Sequence, residues 1–194
     1  MKKKTKSKLI QQIVLYASLG IASFHYSTYV HAKERTDTAY QLSPFPNELK
    51  HYKTQVFNLF DKSAVDQNTK RPLYDATFVQ QFEAALKPYL KLDRMLEKKL
   101  LSGPASEGKY IEINGKPYLF YTICQAHACN TTNIAVLYQH DTKKIVGRLQ
   151  YKCDIHLLND PTSSEINTVN NLSPIDQTDE FYKTACAEEK HERK

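Results

Sequence analysis

The chain has 194 residues, with 27 basic and 21 acidic side chains and a formal net charge of +6. Five of the basic residues (Lys2, Lys3, Lys4, Lys6 and Lys8) sit at the very start, leaving 22 basic against 21 acidic residues after position 32. A near-neutral body with four glycines and no glycine-rich loop excludes nucleic acid and phosphate cradles as the basis of function.

Residues 1–32 read as an export signal. The lysines form a basic head, residues 13–23 (IVLYASLGIAS) are uncharged and largely apolar, and Val30-His31-Ala32 suits signal peptidase. Gly20-Ile21-Ala22 also fits, so cleavage is expected after Ala32 or Ala22. The apolar run falls well short of the roughly 20 residues a spanning helix needs, and no cysteine follows it for lipidation. No stable membrane anchor is therefore expected after cleavage. Residues 33–45 read as an extended lead-in, and 46–194 as one domain large enough for a single core.

Along that domain, Leu49, Tyr52, Val56 and Phe60 recur at helical spacing after Pro46, which predicts a first helix. Residues 61–74 are polar and turn-like. Asp75 can cap a second helix that carries Phe78, Phe82 and Ala85 on one face. Pro88 interrupts it, and a third helix is expected over 89–101 through Leu92, Met95, Leu96 and Leu100, ended by Ser102-Gly103-Pro104.

The period then changes. Residues 110–113 read as a strand, Asn114-Gly115 as a type I′ hairpin turn, and 117–124 as the return strand. Further strands are expected at 133–139, 144–151 and 152–158. Asn159-Asp160-Pro161 reads as a helix start with Asp160 capping, and Ser173-Pro174 opens a last helix bearing Phe181, Tyr182 and Cys186. Helices, then strands, then helices predict an α+β fold: an antiparallel sheet of about five strands with helices packed on one face.

The four cysteines, at 124, 129, 153 and 186, allow two disulfides in an exported protein, in any of three pairings. Locality favours Cys124–Cys129, leaving Cys153–Cys186 to close a loop of about 33 residues, a crosslink contributing roughly 3–4 kcal/mol. Cys124-Gln125-Ala126-His127-Ala128-Cys129 is thus a small ring between two strands with one ionisable side chain at its tip. HExxH, G-x-S-x-G and Cys-x-x-Cys-His are all absent, and no cofactor is called for. Two other readings of the ring stand beside a binding role. Cys124, His127 and Cys129 could hold zinc with His156 or Cys153 as a fourth ligand, or the ring could simply staple a hairpin with His127 as an exposed bystander. His51, His140 and His156 read as packed or solvated.

The ring and its surroundings resemble the Ivy family, the inhibitors of vertebrate lysozyme, whose signature is Cys-Lys-Pro-His-Asp-Cys between antiparallel strands. The Asn-Gly hairpin, the aromatic strand entering Cys124, the NIAVLYQ strand and Asn159-Asp160-Pro161 extend the likeness over roughly 50–170. Gln125, Ala126 and Ala128 depart from the family's lysine, proline and aspartate. Cys153, Cys186 and the tail past 170 read as additions to the pattern, a helical C-terminal extension. The resemblance implies a non-enzymatic periplasmic or secreted protein of a Gram-negative bacterium whose partner is c-type lysozyme. It also admits a homodimer, since family members can dimerise. It implies that the Cys124–Cys129 loop enters the enzyme's cleft and that His127 bonds to the two catalytic carboxylates there. The alternative is an envelope interaction protein that keeps the scaffold without inhibiting lysozyme.

Overall fold

A computed structural model describes residues 40–192 of the chain; the expected export signal and the start of the lead-in lie outside the described residues. The fold is α+β, built on a six-stranded antiparallel meander in which each strand pairs with the next. In chain order the strands are β1 (Tyr40–Leu42), β2 (Lys109–Ile113), β3 (Lys116–Cys124), β4 (Asn133–Gln139), β5 (Lys144–Tyr151) and β6 (Asp154–Leu158). The helices are α1 (Ala76–Leu86), α2 (Leu96–Leu100), α3 (Ser163–Leu172) and α4 (Glu180–Glu192). None of the helices among the described residues is long and apolar enough to cross a membrane.

The sixth strand comes from the stretch read as a lead-in, where Tyr40, Gln41 and Leu42 pair with Ile113, Glu112 and Ile111. A three-residue strand has too short a pattern to announce itself; pairing to β2 defines it. Asn114 and Gly115 have φ of 49° and 73°, as a type I′ turn demands. The β5–β6 connection is just as tight, since Tyr151 pairs with Asp154. Its two turn residues, Lys152 and Cys153, have φ of 50° and 70°. Because they lack the usual Asn-Gly composition, the sequence placed them inside the strand instead.

The first expected helix does not run through. It splits into 3₁₀ turns at Asn47–Tyr52 and Val56–Leu59. The break has a clear cause in the backbone between them. Gln55 bridges to Glu107, Gly108 N donates to Thr54 O and Val56 N donates to Ser106 O, so these groups serve the sheet margin rather than a helix. Tyr52, Val56 and Leu59 are consequently the buried set, with Phe60 half-buried. The third helix shrinks to Leu96–Leu100. Asp93 Oδ1 accepts from Met95 N and its Oδ2 pairs with Lys99, which ends the preceding turn and leaves Leu92 and Met95 exposed.

Helix α1 follows the sequence closely. The Asp75 carboxylate accepts from Thr77 N at 2.8 Å and Phe78 N at 3.0 Å, and from Tyr52 Oη at 2.5 Å. Phe78, Phe82, Ala85 and Leu86 then face a core that includes Tyr121, Ile123, Ile134, Val136 and Tyr138. Helices also cover the opposite face, contrary to the one-sided packing expected. Val169, Ile166 and Leu172 of α3 pack on Ile111, Phe120, Leu137 and Val146. This explains why β3 through β5 carry nearly continuous apolar runs: both of their faces are buried.

The start of α3 also differs from expectation. Asn159 and Asp160 adopt left-handed backbone (φ 54° and 49°), so Asp160 belongs to the turn. Thr162 caps the helix in a reciprocal box with Glu165. Tyr118 Oη donates to Glu165 at 2.9 Å, and burial followed by that bond pushes the Tyr118 phenol up to about 12. The last helix starts at Glu180 rather than at Pro174, burying Cys186 and leaving Phe181 81% exposed.

Candidate functional site: the Cys124–Cys129 loop

The four cysteines pair as Cys124–Cys129 and Cys153–Cys186. The first bond closes the connection between β3 and β4. Inside the ring Ala128 N donates to Gln125 O at 3.1 Å, closing a four-residue turn whose third residue is His127. A positive φ of 63° at His127 is what that position requires in a type II-like turn. His127 is exposed, and among the described residues no side chain bonds its imidazole. The flanking Gln125, Ala126 and Ala128 are half-buried, so the imidazole stands clear of its neighbours.

The loop is braced on both arms. On the entering side, Cys124 N donates to Pro104 O at 3.0 Å, and Gly103 lies directly beneath the ring. A Cβ on Gly103 would sit 2.2 Å from Cys124 O and 2.4 Å from Ala126 N. On the returning side, Thr131 N and Thr132 N both donate to Ala128 O, and Gln125 N donates across the ring's base to Thr132 O. The β5–β6 turn supports this arm: Cys153 N donates to Thr131 O at 2.9 Å and Lys152 N to Thr132 Oγ1 at 3.3 Å. The second disulfide ties that same turn to α4, so both crosslinks stabilise one end of the sheet.

Arg148 reaches the neighbourhood from beneath. It is 3% exposed and donates to Asn170 Oδ1 and to Ser173 O, both at 2.6 Å; burial pulls its pKa down. These bonds fix the end of α3, where Ser173 and Pro174 border a hollow of about 430 Å³ shared with Pro104, Cys124, Cys129 and Asn133. A larger hollow of about 770 Å³, walled by Phe45 and Tyr110 with Lys50 and Lys53 at its rim, contains no residue of the loop.

The disulfides bear directly on the zinc alternative, since Cys124, Cys129 and Cys153 have no thiolate to offer. His156 packs against Tyr89, with the ring centroids 5.1 Å apart and the planes tilted by 48°. His51 packs on Tyr52 at 4.1 Å, and burial pulls its pKa down. His140 sits 3.6 Å from Asp141 in the β4–β5 turn. Sequence reasoning isolated the six ring residues but missed their supports. Gly103 read only as a helix stop, and Asn133 and Gln150 only as strand positions. The one available signal was that Gln150, like Arg148, is a polar residue in a strand that is otherwise mostly apolar.

A protein-family model described as Inhibitor of vertebrate lysozyme (Ivy) matches residues 79–187. The match begins within α1, takes in the loop and both disulfides, and ends one residue past Cys186. The family pattern therefore reaches beyond position 170, and most of the segment read as an added tail falls inside it. No curated protein and no solved structure matches the chain.

Proposed function

The chain belongs to the family of inhibitors of vertebrate lysozyme, and from that premise we propose that it inhibits c-type lysozyme by inserting His127 into the active-site cleft. The observation that carries this reading is the single exposed histidine at the tip of a disulfide-closed turn that is hydrogen-bonded on both arms. Lysozyme cleaves its substrate between two carboxylates. An imidazolium presents a donor on each ring nitrogen, and two facing carboxylates favour that charged form. A pre-ordered loop loses little conformational freedom on docking, so more of the contact energy is realised as affinity.

The family is one of inhibitors rather than enzymes, and it sets lysozyme as the partner in general terms. Action in the periplasm rests on the leader at 1–32 and agrees with two disulfides, which persist in oxidising compartments. The deciding experiment titrates a c-type lysozyme with residues 33–194 and with the His127→Ala form. Hydrogen bonds to charged groups contribute about 1.5–3 kcal/mol, so His127→Ala should weaken inhibition by roughly 10–100-fold. Equal inhibition by the two proteins sinks the assignment. The substitutions at Gln125, Ala126 and Ala128 favour a second reading, an envelope interaction protein on the same scaffold. Recovery of a non-lysozyme partner by a chain that leaves lysozyme fully active would select it.

A further inference from the structure

We propose that Gln150, acting through Asn133, is the positioning residue of the His127 loop, a role that rests on reading this loop as the lysozyme-binding element. The backbone hydrogen bonds around the ring leave a gap. They engage Ala128 O, and they resume at Thr131 O and Thr132 O, but they skip the carbonyls of Cys129 and Asn130. Side-chain amides fill that gap. Asn133 Nδ2 donates to Cys129 O at 2.9 Å, and Gln150 Nε2 donates to Asn130 O at 2.9 Å. The two amides are themselves joined, Asn133 Nδ2 donating to Gln150 Oε1 at 2.6 Å, and they face each other across the β4–β5 ladder.

Gln150 is fully buried in β5, where Arg148 is the one other buried polar side chain. A buried amide is costly unless both its ends are bonded, and here both are. An apolar side chain would fill the same volume without that requirement. The amide adds a link from the buried end of β5, where Asn133 and Gln150 form the last pair of the β4–β5 ladder, to the two residues at the ring's exit. Because Cys129 is also the second anchor of the disulfide, displacement of this arm moves the whole ring and with it His127. This chain lacks a proline at position 126, so the orientation of the tip depends on such tertiary bracing.

The test uses Gln150→Met, which keeps length and removes both amide bonds, and Asn133→Ala as an independent second variant. Amide hydrogen exchange in the free protein is read at Ala128, Thr131 and Thr132 in the loop and at Leu137 and Val146 in the sheet. Lysozyme inhibition is titrated in parallel, well below the unfolding temperature. We expect loop exchange to accelerate about tenfold in either variant with sheet exchange unchanged, and inhibition to weaken about tenfold. The double variant should be no worse than the poorer single one, since the two amides form one network. Unchanged loop exchange, equal acceleration across the sheet, or loosened loop amides with undiminished inhibition would each overturn the proposal. A parent protein that fails to inhibit lysozyme removes the lysozyme reading alone. The exchange pattern then still decides whether Gln150 holds the loop.

Discussion

Replacing Gly103 by alanine is the sharpest probe of how the loop is held. The backbone at Gly103 lies outside the left-handed region, so alanine meets no conformational objection there. The added methyl would instead stand 2.2 Å from Cys124 O, 2.4 Å from Ala126 N and 2.7 Å from Gln125 C, against ordinary contacts of 3.4–4 Å. All three neighbours are backbone atoms of residues in the disulfide ring, so no rotamer change relieves the overlap. The ring has to retreat by about 1 Å, and overpacking of this kind costs roughly 1–3 kcal/mol. A displacement of that size at a contact tip weakens inhibition by about tenfold or more. Urea unfolding with linear extrapolation measures the first effect and lysozyme titration the second. Gly115→Ala is the matched control. Its φ of +73° makes alanine strained by about 1–2 kcal/mol, but nothing lies within 4 Å, and the turn is at the far end of the β2–β3 hairpin. It should lose stability and keep inhibition. If Gly103→Ala matched the parent in both measurements, the wedge beneath the ring would not constrain it.

Three further outcomes follow from the same contacts. Asp75→Ala removes two cap bonds to α1 and the acceptor of the Tyr52 hydroxyl, so the urea midpoint should fall by an amount equivalent to about 2–3 kcal/mol. Replacing Cys153 and Cys186 together by serine opens a 33-residue loop and should cost about 3 kcal/mol by thermal unfolding while Cys124–Cys129 stays intact. Burial would raise the Glu165 carboxyl, but hydrogen bonds from Thr162 and Tyr118 outweigh it and hold its pKa below the ordinary value. Folding therefore favours the ionised form, and its stabilisation is present above pH 4.5 and lost as pH falls through the lowered value. Glu165→Gln should flatten that part of the acid limb, as read from urea midpoints between neutral pH and about pH 3.

Local chemistry made much of this molecule legible. Asp75 caps α1 because a carboxylate before a helical run is the nearest acceptor for free amides, whatever lies elsewhere in the chain. Asn114-Gly115 turns because those residues tolerate positive φ. The short spacing of Cys124 and Cys129 marked the ring, and the histidine between them was visible for the same reason.

What the sequence could not specify were the features decided by atoms far apart along the chain. Pairing of residues 54–56 with 106–108 broke a helix that periodicity supports. Tyr40–Leu42 became a strand through β2 alone, and the second face of the sheet acquired α3. The same holds at the loop. Its six residues are a local fact of sequence, but the placement of His127 depends on Gly103 below the ring and on Asn133 and Gln150 at its exit. Hydrogen bonds between distant residues leave no periodicity and no spacing to read, so only the assembled sheet could bring those supports together.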